Sequence, residues 1–174
     1  HFDNTWNSAT AVENIRNVLG ALDVDLYTHV VDNEEYDDIL RAFLRAGVPD
    51  IETPTDIGLA ATLYQAAEKH GIKHIFNGHS FRTEGITPLG WIYMDGKYIQ
   101  SVVRQFGEGR KLKTFPNLWM HSQLRWQAVR GIERHRPLWY MAYPKEEVKQ
   151  FLIDEFGWKW YGGHHLENRL TAFY

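Results

Sequence analysis

The sequence predicts an α/β fold in which parallel strands carry helices on both faces, followed by a mainly helical second half. Three observations point there. Apolar runs alternate as helix, strand, helix, helix and strand over the first ninety residues, the rhythm of right-handed crossover units. The character changes after Pro88, where aromatic residues such as Trp91, Tyr93, Trp119, Trp126, Trp139 and Trp160 crowd the chain. With 174 residues, 44% hydrophobic and 24% charged, the chain is long enough for one main core and an appendage, and the expected boundary lies between residues 1–90 and 91–174.

Each element has its own signature. Phe2 reads as the end of a core strand, with Asp3 and Asn4 in the loop that follows it. Ala11, Val12, Ile15, Val18, Leu19 and Leu22 recur at helical spacing behind Asn7 or Ser8, either of which can accept from free amides of the first turn. Val24, Leu26, Val30 and Val31 form a short β-branched run that suits a strand partly buried between helices. Asp32 with Glu35 three residues later has the spacing of a capping box, and Tyr36, Ile39, Leu40, Phe43 and Leu44 form the inner stripe until Gly47 and Pro49 stop the helix. A third helix begins near Thr55 and closes on Lys69, His70 and Gly71, with basic residues at the negative end of its dipole. Residues 72–76 follow as a strand, and the clearest helix of the second half runs from Pro144 to Gly157.

Charge and composition narrow the chemistry. A formal charge of -3 and a pI near 6.3 provide no general field for nucleic acid. With no cysteine there is no disulfide, no thiolate zinc site and no cysteine nucleophile in these residues. Without a signal peptide or a long apolar span, the expected setting is cytoplasmic, with no membrane insertion.

Three clusters carry reactive side chains. Asn77, Gly78, His79, Arg82, Thr83 and Glu84 follow a strand, where open parallel sheets bind ligands. Each alone is ordinary turn chemistry or a solvated charge. Together they offer a glycine for close approach, an imidazole and a guanidinium for phosphate oxygens, and a Thr83-Glu84 pair for Mg²⁺. Residues 107–114, including Arg110, Lys111 and Lys113, form a glycine-flanked basic turn, equally a solvated loop or a phosphate contact. His164 and His165, with Glu167 and Arg169, lack the helical spacing of a zinc pair and rank as substrate or interface contacts. His29, His70, His74, His121 and His135 read as surface or cap residues.

The motifs Phe2-Asp3-Asn4, Val48-Pro49-Asp50-Ile51 with Pro54-Thr55-Asp56, Thr83-Glu84-Gly85-Ile86, Leu112-Lys113-Thr114-Phe115-Pro116 and Gly162-Gly163-His164-His165 stand in an order and spacing that resemble the N-acetyl sugar amidotransferases. These are ATP pyrophosphatases of the adenine nucleotide alpha hydrolase superfamily. The resemblance implies a Rossmann-like (HUP-type) parallel sheet truncated at its N-terminus, because the family's Ser-Gly-Gly-x-Asp-Ser loop and the cysteine-rich zinc segment that commonly precedes it are not in these residues. It implies binding of ATP and Mg²⁺, adenylylation of an acetamido sugar and displacement of AMP by ammonia, giving an acetamidino sugar for lipopolysaccharide O-antigen. The substrate would be a nucleotide-linked or acidic N-acetyl sugar, the ammonia would come from a partner glutaminase subunit, and a homodimer is compatible. Carried over, Phe2, Asp3, Asn4, Asn77, Gly78 and Thr83 hold the nucleotide, while His79, Arg82 and Glu84 form the catalytic set, with Glu84 on Mg²⁺. Asp56, Lys111, Lys113, His164, His165, Glu167 and Arg169 contact substrate or triphosphate. Two alternatives stay open: a nucleotide- or partner-binding module without turnover, and a related ATPase such as a tRNA-modifying enzyme, for which the lack of cysteine is unfavourable.

Overall fold

Ser8, Asp32 and Asp95 each place a side-chain oxygen on an amide of the helix they start. Ser8 Oγ accepts from Ala11 N at 3.1 Å, Asp32 Oδ1 from Glu35 N at 3.0 Å and Asp95 Oδ1 from Tyr98 N at 2.8 Å. The structure is a computed structural model that describes residues 1–85, 94–163 and 165–173, without the side chains of Thr83 and Glu84. The expected roles of those two side chains and of His164, and the aromatic residues Trp91 and Tyr93, therefore lie outside the described residues.

The elements run β1 (Phe2–Asp3), α1 (Ala9–Leu22), β2 (His29–Val30), α2 (Asn33–Ala46), α3 (Thr53–Lys69), β3 (His74–Phe76), α4 (Phe81–Glu84) and α5 (Gly96–Phe106). After them come α6 (Met120–Leu124), a π-helical turn (Arg125–Val129), β4 (Glu133–His135), a 3-10 turn (Pro137–Trp139), α7 (Lys145–Phe156) and α8 (Arg169–Phe173). Gly47 and Gly157 end α2 and α7 in the left-handed region, at φ 61° and 62°, where glycine avoids a Cβ penalty.

The mixed α/β class is correct, and both strand pairings are parallel. The strands are shorter than expected and pair as β1–β2 and β3–β4, two separate two-stranded ladders among the described residues. Backbone accounting explains the shortening. The Ile72 amide donates to Ala67 O at 2.8 Å behind Gly71 at φ 69°, so residues 71 and 72 serve the end of α3 and the strand starts only at His74. Upstream of His29, Val24 and Leu26 are about half exposed, at 52% and 49%, where a buried strand was expected. The partner of β3 lies in the half expected to be helical: Glu133-Arg134-His135 is too short and too polar to show a strand pattern, and aligns with His74, Ile75 and Phe76.

Two compact units divide the chain otherwise than at residue 90. One contains residues 1–4 and 29–140, the other residues 5–28 and 141–174. In the first, α2 packs on α5 through Ile39, Phe43, Ile99, Val102 and Val103, all buried, with Phe43 edge-on to Tyr98 at 5.7 Å. This packing keeps residues 94–140 with the first half. Phe2 meets Tyr36 and Phe115 edge-on at 6.0 and 6.3 Å, and Gly58 of α3 faces its ring so closely that a Cβ there would lie 2.6 Å from it. In the second unit α1 packs on α7, and the Asn14 side chain bonds both the amide (2.7 Å) and carbonyl (2.9 Å) of Lys159.

Candidate functional site

The basic turn at residues 107–114 is held against α2 by acidic side chains one helical turn apart. Glu35, nearly fully buried, accepts the amides of Lys113 (3.0 Å), Thr114 (3.1 Å) and Phe115 (2.7 Å) and the Thr114 hydroxyl (3.2 Å). Asp38, fully buried, accepts Glu108 N at 2.7 Å through Oδ1, while its Oδ2 has no hydrogen-bond partner among the described residues. Arg41 and Arg45 of the same helix reach Glu108, and Glu34 pairs with Arg110 at 2.8 Å. The expected capping box is half made. Asp32 caps the helix, but Glu35 turns to the distant loop because buried amides there need an acceptor.

That anchoring shapes a cavity of about 830 Å³ between the loop and helices α3 and α5. Arg104, Arg110, Lys111 and Lys113 line it, with His29 and Trp119, and no carboxylate is among its lining residues. Arg104, Lys111 and Lys113 have no ion pair among the described residues, so their charge is available to an anion. His29 is fixed by its Nε2 at 2.8 Å from Thr114 O, and the Asp32 amide donates to Thr114 Oγ1 at 2.9 Å. Lys111 and Lys113 thus stand together in a cationic hollow. The sequence offered no way to see that Arg104, Gln65, Gln100 and Asn117 join them, since they lie on other elements.

The remaining expected site residues are distributed as follows. Phe2 is a core ring, its faces taken by packing. Asp3 holds the ladder through its carbonyl, which accepts Val31 N at 3.0 Å, and Asn4 is buried by the Tyr36 hydroxyl. That hydroxyl lies 2.6 Å from Thr55 Oγ1, and burial pushes its pKa up; exposed Asp56 adds to the shift through its charge. Asn77 joins two segments: its amide donates to His135 O and its Oδ1 accepts His79 N, both at 2.8 Å. The His79 ring lies 6.4 Å from that of Trp139, and the Arg82 guanidinium sits over Phe81 at 5.7 Å. At Gly78 an added Cβ would meet no protein atom within 4 Å, so the surrounding protein leaves open space there. His165, Glu167 and Arg169 belong to the second unit, where His165 Nδ1 is 3.8 Å from Glu167 and Arg169 donates to Thr5 O at 2.6 Å while lying over Trp6. There Arg169 ties the first residues of the unit to its last helix.

His74 and His135, read from the sequence as surface or cap residues, face each other across β3–β4 with ring nitrogens 3.0 Å apart. Sixty-one residues separate them, and only the pairing of β4 reveals the contact. No family model, characterised protein or solved structure matches this chain. No helix among the described residues is long and apolar enough to cross a membrane.

Proposed function

We propose that the chain is part of an ATP-dependent, AMP-forming amidotransferase that converts an N-acetyl sugar to an acetamidino sugar for lipopolysaccharide O-antigen, in the cytoplasm. The observation that supports it is the cationic cavity, where Arg104, Arg110, Lys111 and Lys113 meet with no carboxylate among the lining residues. Such a donor set fits phosphate or sugar carboxylate oxygens, and Trp119 and His29 add flat rings to the same wall. The motif resemblance independently puts Lys111 and Lys113 at the triphosphate or substrate.

In this reading the amide oxygen of the acetamido group attacks the α-phosphorus of ATP, forming an O–P bond as the bond to pyrophosphate breaks. Ammonia then adds to the activated carbon, AMP departs with the former amide oxygen, and one proton is released to leave the amidine. An amide oxygen is a poor leaving group and AMP a good one. The lysines and arginines neutralise phosphate charge and hold the two substrates in line, so positioning and electrostatics do the catalysis without a covalent nucleophile. His79 and Arg82, the catalytic pair that the resemblance implies, do not line this cavity, and no step is placed on them. Mg²⁺ would shield the triphosphate; the side chains assigned to it, Thr83 and Glu84, are outside the described residues and no step is placed on it.

Assayed in its complete reading frame with ATP, an ammonium salt and a panel of acidic acetamido sugars, the protein should form AMP and pyrophosphate only when sugar and ammonium are both present. Tight ATP binding with no AMP across the panel would reject the amidotransferase in favour of a nucleotide-binding module.

A further inference from the structure

We propose that His74, Glu133 and His135 form a Zn²⁺ site on the β3–β4 ladder, with an open coordination position toward the neighbouring cavity. The backbone brings the three together. In this parallel pair His74 aligns with Glu133 and Phe76 with His135, and residues two apart share a face, so all three ligand side chains stand on one side of the ladder. Ile75, between them, is buried on the other side. His74 Nδ1 lies 3.0 Å from His135 Nε2, and Glu133 Oε2 lies 4.0 and 3.7 Å from those two atoms. Zinc bonds of about 2.0–2.2 Å at tetrahedral angles require ligand atoms roughly 3.3–3.6 Å apart. The three spacings straddle that value, and all three side chains are exposed enough to rotate the remaining few tenths of an ångström.

The donor set selects the ion. Two imidazoles with one carboxylate suit zinc and its late first-row neighbours, whereas Mg²⁺ and Ca²⁺ demand oxygen. In the absence of metal one imidazole donates its N–H to the other; a cation would replace that bond with two nitrogen lone pairs directed at itself. Glu133 and His135 also line a cavity of about 580 Å³ with Arg134, Arg136, Trp139 and Tyr140. Three protein ligands leave the fourth position to water or to a carboxylate or phosphate oxygen. This site is separate in residues from the cationic cavity and does not depend on the amidotransferase reading.

Zinc chloride titrated by calorimetry into the metal-free chain should give one equivalent of binding. H74A, E133Q and H135A should each weaken it by at least about tenfold, the floor set by loss of a mere outer-shell partner. H165A, at another histidine and acid pair, should leave it unchanged. Cobalt as a substitute should give visible d–d bands without thiolate charge transfer, and these bands should vanish in H74A/H135A. Far-UV circular dichroism separates ligand loss from unfolding, and E133Q alters only an exposed side chain. Zinc affinity and cobalt spectra equal to wild type in a folded H74A/H135A variant would overturn the proposal, as would the absence of any zinc binding by the wild-type chain.

Discussion

Glu35 directs both carboxylate oxygens at the amides of residues 113–115, which lie 78 to 80 positions away in the chain. A glutamine there would put an NH₂ donor where an oxygen accepts, against amides that are themselves donors. Charge-assisted hydrogen bonds are worth about 1.5–3 kcal/mol each, so E35Q should lower unfolding stability by roughly 2–4 kcal/mol and loosen the loop that carries Lys111 and Lys113. Urea denaturation checks it; a loss below about 0.5 kcal/mol, the ordinary surface range, would show that the buried acceptor is not needed. The sequence displayed the Asp32 and Glu35 spacing, and Asp32 does cap its helix. It could not display where Glu35 turns, because a side chain three residues into a helix has its own N-cap and any buried loop as rival partners.

At the scale of elements, the end of α3 depends on Glu68. Its carboxylate accepts both terminal nitrogens of Arg125 at 2.5 and 2.6 Å, the Trp126 indole N–H at 2.7 Å and Arg130 Nε at 2.9 Å, while Tyr64 stacks on Trp126 with centroids 5.2 Å apart. These partners fasten the π-helical turn to α3 and offset an acid at the negative end of a helix dipole. The hydrogen bond from Arg125, with help from Trp126, lowers the Glu68 pKa from the usual 4.5 to about 2. A depressed folded-state value means that the stabilisation is complete above about pH 4.5 and is lost as the pH falls toward 2. The urea midpoints of wild type and E68Q should therefore differ near neutrality and converge in that window; a constant gap down to pH 2 would contradict the assignment. Helices were legible at this scale because their stripes and stop signals are local: Ser8, Gly47 and Gly157 fall where the patterns place them, and α3 starts at Thr53, two residues before the expected Thr55, with Pro54 in its first turn. Strands were not. Two or three residues cannot establish a period of two, and β4 becomes a strand only through β3.

For the whole molecule, the lesson lies in what crosses the chain. Residues 94–140 form a unit with the first α/β segment because α5 covers α2 and the 107–117 loop answers α2's carboxylates, whereas the last thirty-odd residues pair with α1 in the other unit. Motif order suggested Lys111 and Lys113 as anion contacts; the hollow around them, completed by Arg104 and Arg110, follows from tertiary packing that no window of sequence contains. The proposed function requires this hollow to hold a phosphate-bearing ligand. Calorimetric titration of ATP into the chain and into its K111A/K113A variant, at low and at raised salt, tests it most directly. Loss of two charge-assisted contacts predicts affinity reduced by at least about tenfold and a shallower salt dependence in the variant. Equal affinity and equal salt dependence in the two proteins would contradict it.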